Sequence, residues 1–153
     1  MKKLILTLLL IVWASSAIAA GTITFAYEES DKRGSHWIQV TATCTADSSD
    51  ASFPDTLIGI DVSGTYLMQV RTFYGGTGPT DNTDLYLKEN SATGYDVLNT
   101  AGENRIDNAA KNDFQPTIDG APSAVPIYGP LYIDIDNKAV NSAIVTIVMD
   151  FIQ

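Results

Sequence analysis

Apolar and polar residues alternate with period two over much of the chain. The clearest case is 36–44, where polar residues separate four apolar ones: Ile38, Val40, Ala42 and Cys44. The same pattern recurs at 58–62, 66–71, 84–88, 131–136 and 145–151. Because successive side chains of a strand point to opposite faces of the sheet, each segment predicts a strand with one buried face.

Glycine and proline residues separate these predicted strands. Ser63 and Gly64 predict a tight hairpin between two of them, and residues 75–82 predict a longer loop. Three prolines exclude a central strand or a helix from the stretch that contains them: Pro122, Pro126 and Pro130. Apolar residues in 101–114 are spaced at three and four, but Asp and Asn are poor helix formers, so we expect at most a turn or two of helix there.

These segments together predict the fold class. With shorter strands at 22–27 and 95–98, the chain has seven or eight predicted strands. This number favours an all-β fold, a single antiparallel β-sandwich formed by residues 20–153. We expect four side chains to point into its core: Val40, Ile60, Ile133 and Ile147. Gln39 and Thr146 are expected on the opposite phase, and Tyr66, Met68 and Val70 are expected to share one face.

The first nineteen residues differ in composition from the rest. Lys2 and Lys3 form a basic start, residues 4–13 are almost entirely apolar, and residues 17–19 read Ala-Ile-Ala. This order is typical of a secretory signal peptide, so we expect cleavage after Ala19, with Ala20 as the second choice, and a secreted or periplasmic location. A permanent membrane anchor is the alternative, but the apolar run is short for a span of about 20 residues.

Composition and charge narrow the classes of partner. The chain is 45% hydrophobic and only 18% charged, which excludes intrinsic disorder. Cleavage would remove two lysines and no acid, so 7 basic residues would face 18 acidic ones and the net charge would change from −9 to −11. Nucleic-acid binders need a basic face, so we expect no nucleic-acid partner and no membrane partner after cleavage.

The residue types required for most catalytic sites are scarce. The chain has one Cys and one His, so we expect no disulfide framework, no Zn cluster and no enzyme activity, and we assign no catalytic, cofactor or metal-binding residue. Ser35 and His36 are adjacent strand residues on opposite faces, so they cannot act as nucleophile and base, and His36 is expected to be solvated. Cys44 is expected to be buried and inert; an intermolecular disulfide is the alternative.

Two groups of carboxylates suggest alternative activities. Asp134 and Asp136 share one strand face, as a pair of glycosidase acids could, but their polar phase favours a solvated surface. Residues 81–84, Asp-Asn-Thr-Asp, could offer oxygen ligands to Ca²⁺, although a turn explains them as well. Six tyrosines are candidate contact residues for protein partners: Tyr27, Tyr74, Tyr86, Tyr95, Tyr128 and Tyr132.

Several blocks resemble a known family. They are Gly-Pro-Thr-Asp-Asn-Thr-Asp-Leu-Tyr-Leu at 78–87, Gly-Tyr-Asp-Val-Leu at 94–98, Asn-Arg at 104–105 and Gly-Pro-Leu-Tyr-Ile at 129–133. This series is similar to that of small β-rich structural proteins of tailed phages and prophages. The resemblance implies a virion-associated component without catalytic residues. The export segment departs from that pattern, because virion proteins assemble in the cytoplasm, so an exported cellular relative is the other origin.

We therefore predict a non-enzymatic structural protein that acts by self-association or by docking on a larger assembly. The alternative function is an exported monomeric module that binds a glycan or Ca²⁺. The final strand, 143–152, is long and apolar and has Asp150 as its single charge. We expect it at or near a sheet edge, where it would pair with another subunit, and we expect Lys or Pro at Thr146 to weaken that pairing. A central final strand in a monomer is the other arrangement.

Overall fold

The chain is a two-sheet antiparallel sandwich in the computed structural model, which describes residues 20–32, 34–136 and 139–153. The predicted signal peptide, residues 1–19, lies outside the described residues. The described part contains strands, turns and loops without helix, which confirms the predicted all-β class. It accordingly includes no helix long and apolar enough to cross a membrane.

The strands of the larger sheet, sheet A, are β1 Thr22–Lys32, β2 Ser35–Thr45, β4 Tyr66–Tyr74, β7 Asn112–Phe114, β10 Val125–Pro126 and β12 Ile144–Ile152. They run in the order β1-β2-β12-β4-β10, and β7 pairs with β4 beside β10. Because β10 pairs with the start of β4 and β7 with its middle, two short strands share the last position of the sheet.

The strands of the smaller sheet, sheet B, and of a separate hairpin are β3 Thr56–Leu57, β5 Asp84–Glu89, β6 Tyr95–Asp96, β8 Thr117–Ile118, β9 Ala121–Pro122 and β11 Leu131–Asp136. Sheet B runs in the order β3-β11-β5-β6. The hairpin joins β8 and β9 through Asp119 and Gly120, both with positive φ, as a type I′ turn requires.

The inner faces of the two sheets form one hydrophobic core. Sheet A contributes the alternating residues of β2 and β12, and sheet B those of β5 and β11. The predicted inward phase is confirmed in all four strands, whose fully buried members include Val40, Ala42, Leu85, Leu87, Ile133, Val145, Ile147 and Phe151. The outward phase of Gln39 and Thr146 is also confirmed, since both side chains are only partly buried.

The strand predicted at 58–62 is wrong. Ile58 makes one backbone hydrogen bond to Leu131, and the chain then leaves the sheet. The Asp61 carboxylate accepts a hydrogen bond of 2.9 Å from the backbone N–H of Ser63, a local turn that competes with ladder formation. Ile58 and Val62 are still buried. Ile60 packs against the core but is only partly buried, so the predicted inward direction is confirmed and full burial is not.

The face predicted for the start of β4 is also wrong. Tyr66 is 49% exposed, whereas Leu67 and Val70 are fully buried. The pairing with β12 passes from Leu67 to Gln69, so Met68 is an extra residue in a β-bulge. One inserted residue reverses the phase of the strand before it, because the side-chain period is two.

The final strand does not lie at an edge. β12 pairs with β2 on one side and with β4 on the other. Thr146 therefore lies between Thr43 and Phe73, and a Pro there would remove a ladder position inside the sheet rather than block a subunit contact. The pairing predicted through 143–152 is corrected accordingly.

Candidate interaction surface

β1 forms the long free edge of sheet A. It pairs with β2 along all eleven residues, and in the described part of the chain it has no second strand partner. None of the backbone hydrogen bonds of the described loops involves residues 22–32. We call the side of β1 that faces away from β2 the open edge. A free row of backbone N–H and C=O groups is a template for strand addition.

The two halves of β1 differ in charge. Residues 22–27 carry no charge, and Glu28, Glu29, Asp31 and Lys32 follow. Charged residues protect an edge strand against pairing with another chain, so the second half of β1 is protected and the first half is not. In the neutral half the rings of Phe25 and Tyr27 stack with centroids 6.2 Å apart, and Tyr27 is 39% exposed.

His36 anchors the charged half of β1. Its Nδ1 lies 2.8 Å from Asp31, the directly opposite residue, and its Nε2 lies 3.7 Å from Glu29. Ser35 pairs instead with Lys32, which leaves Ser35 and His36 on opposite faces as predicted. The imidazole, predicted to be solvated, is partly exposed and makes a cross-strand contact that holds the hairpin.

The outer face of sheet A beside the open edge is rich in threonine. Cross-strand rows place Thr22 beside Thr45 and Thr24 beside Thr43, and Thr43 is in turn beside Thr146. The next row contains Ala26, Thr41 and Val148. We call these eight residues the threonine face. It carries no charge, although the whole chain has a net charge of −9.

A polar network limits the threonine face at one end. Asp150 accepts hydrogen bonds of 2.7 Å from Gln39 and from Arg71, so one carboxylate joins three neighbouring strands. The side-chain amide of Gln69 donates a hydrogen bond of 2.5 Å to the carboxylate of Asp113. The Asp150 carboxylate therefore has its partners within the subunit, on the outer face of sheet A.

Cys44 lies on the inner face of β2 and is fully buried. Burial raises the pKa of its thiol to about 12, because a low-dielectric surrounding disfavours the thiolate. The predicted buried position is confirmed. A thiol in this state is a poor nucleophile and is not presented to another chain.

Asp134 and Asp136 lie on the outer face of sheet B, opposite Tyr86 and Asp84. Burial, and then the negative charge of Asp84, raise the pKa of the Tyr86 hydroxyl. Lys88 lies over the Tyr86 ring, 4.3 Å from its centroid. The predicted outward phase of Asp134 and Asp136 is confirmed: Asp136 is exposed and Asp134 partly so.

The loop predicted as a turn or a Ca²⁺ site joins two parts of the chain. Asp84 is buried and accepts a hydrogen bond of 2.7 Å from the backbone N–H of Asn104, and Asp81 accepts one of 3.1 Å from Asn108. Thr83 bridges to Ile106. Among the described residues no group of three or more acidic, His or Cys side chains is arranged to hold a metal ion.

A shallow pocket adjoins the charged half of β1. It has a volume of about 210 Å³ and is lined in part by Glu28, Glu29, Trp37 and Asp150. This volume is below the roughly 300–1,000 Å³ of small-molecule pockets.

The predicted contact tyrosines divide into two groups. Tyr27, Tyr74, Tyr95 and Tyr128 are exposed, whereas Tyr86 and Tyr132 are partly buried in sheet B. Sequence reasoning missed the open edge itself. The signal that could have found it is the acidic run at 28–31, because charges in a strand are typical of an edge.

No family model, no curated protein and no solved structure matches the chain.

Proposed function

We propose that this protein is a non-enzymatic structural component that works by self-association, of the virion-associated kind that its resemblance to tailed-phage structural proteins implies. The observation that carries the proposal is the open edge of β1, an eleven-residue strand paired on one side only among the described residues. Strand addition at such an edge supplies a continuous ladder of backbone hydrogen bonds.

The distribution of charge also supports assembly through this region. Two copies of an acidic chain repel each other at long range, so a contact forms best where the surfaces are neutral. The threonine face and the neutral half of β1 adjoin each other at the same end of sheet A. Association there adds a hydrogen-bonded edge without bringing carboxylates of the two copies together.

Light scattering across a salt series tests the proposal. The protein is expressed from its full reading frame, purified and measured over a wide range of concentration at about 0.01 M to about 1 M salt, where the screening length falls from about 30 Å to about 3 Å. We expect the average mass to exceed the monomer and to rise with both protein and salt, because salt screens the repulsion between copies. Monomer mass under every condition would contradict self-association.

A further inference from the structure

We propose that β1 pairs antiparallel with β1 of a second copy, with Ala26 opposite Ala26 of that copy. This inference rests on the proposed function and names the partner and register of the open edge. The two paired β1 strands would lie between the two copies of β2, so that sheet A continues from one subunit into the next. Closed pairs related by a two-fold axis are the commonest homo-oligomers, so a single such contact gives a defined dimer.

The charge asymmetry of β1 selects the antiparallel direction. A parallel, in-register pair would place Glu28 beside Glu28 and Glu29 beside Glu29, and like charges in adjacent positions oppose pairing. An antiparallel pair centred in the neutral half of β1 moves the acids of the two copies to opposite ends of the paired segment.

Symmetry then limits the register. Directly opposed residues of an antiparallel pair lie on the same face of the sheet. In a pair with two-fold symmetry, the central residue of β1 must therefore lie opposite the same residue of the second copy. A centre at Glu28 or Glu29 places two carboxylates opposite each other. A centre at Tyr27 pairs all eleven residues but leaves the two Glu28 side chains about 8 Å apart, within the range of unscreened repulsion.

A centre at Ala26 avoids this repulsion and keeps nine paired residues, 22–30. Glu28 then faces Thr24 of the second copy, and the two Glu28 side chains are about 14 Å apart, beyond the screening length of about 8 Å at physiological salt. Phe25 faces Tyr27 of the second copy, which joins two stacked aromatic pairs into one cross-strand cluster. A centre at Phe25 pairs only seven residues, so Ala26 gives the best compromise.

Charge substitutions at Thr24 test this register. Thr24 is exposed and is four residues from Glu28 of its own strand, about 13 Å away. In the proposed dimer, Thr24 of each copy lies opposite Glu28 of the other copy, so this contact occurs twice. We expect Thr24→Lys to lower the dimer dissociation constant and Thr24→Glu to raise it, each by about tenfold. Thr24→Glu combined with Glu28→Lys should restore pairing.

Thr43→Lys and Thr43→Glu are the matched controls. Thr43 is exposed on the same outer face, one strand further from the edge, and its variants change the net charge by the same amount. We expect them to change the dissociation constant much less than the Thr24 variants do. Equal changes in the dissociation constant at Thr24 and Thr43 would overturn the register. They would show that dimer formation depends on the net charge of the chain and not on which residue lies opposite Glu28.

Cysteine cross-linking gives an independent readout of the same register. Under mild oxidation, Ala26→Cys should form a covalent dimer and Thr24→Cys should not, because only position 26 lies opposite the same position of the second copy. The native Cys44 is buried and does not compete in either variant. If the wild type associates but neither the Thr24 charges nor Ala26→Cys behaves in this way, the proposed function stands and the register is wrong. If the wild type remains a monomer at every salt concentration, both proposals fail.

Discussion

Truncation of Ile147 to Ala is expected to lower the free energy of unfolding by about 2–5 kcal/mol, the range for buried Ile or Leu replaced by Ala. Ile147 is fully buried on the inner face of β12, in the centre of sheet A between Ala42 and Thr72. The strand is held on both sides, so the backbone cannot collapse into the cavity that the substitution leaves. Urea unfolding followed by circular dichroism measures the difference.

Thr146→Ala is the control, since Thr146 is the adjacent residue on the outer phase of the same strand. We expect this change to cost less than about 1 kcal/mol. Ile147→Val, with an expected cost of about 0.5–1.5 kcal/mol, keeps the comparison measurable if Ile147→Ala fails to fold. A loss for Thr146→Ala as large as the about 2–5 kcal/mol expected for Ile147→Ala would mean that the outer face of β12 is covered as tightly as the core.

Gly102→Ala is expected to destabilise the fold by about 2–3 kcal/mol, as overpacking does. A Cβ atom at this buried position would run into the backbone oxygen of Leu85 and would lie 2.8 Å from Cδ1 of Leu98. The backbone cannot move away easily, because Gly102 accepts a hydrogen bond of 3.0 Å from the N–H of Leu85 in β5. Thermal unfolding measures the loss.

Gly76→Ala provides the comparison for this steric effect. Gly76 lies in an exposed loop, and a Cβ atom there would meet nothing within 4 Å. We expect its melting temperature to stay near that of the wild type. Similar losses at the two glycines would indicate a general effect of removing glycine from a loop instead of a specific clash with β5.

Much of the fold could be predicted because the side-chain period of a strand is a local property. The alternation in β2, β5, β11 and β12 gave the correct inner faces, since each strand covers the core with one side only. The bulge at Met68 could not be predicted in this way, because it depends on how β4 pairs with β12. The segment 58–62 alternates as a strand does, but the Asp61–Ser63 turn prevents ladder formation.

The position of each strand within its sheet could not be predicted from alternation. β12 is apolar on its inner phase whether it is central or at an edge, so 143–152 gave no information about its neighbours. The strand predicted at 22–27 proved to extend to Lys32, because His36 binds Asp31 across the hairpin and continues the pairing into a charged segment. The candidate interaction surface therefore lies on β1, the first strand, and not, as the sequence predicted, on β12, the last strand.

Amide hydrogen exchange at several protein concentrations identifies the strand that becomes protected when copies associate. We expect protection in residues 22–30 of β1 to rise with protein concentration and with salt. The amides of β12 should be equally protected at all concentrations, because β12 already lies between two strands of its own chain. A rise in mass without added protection in β1 would contradict the account, because it would place the contact between copies elsewhere.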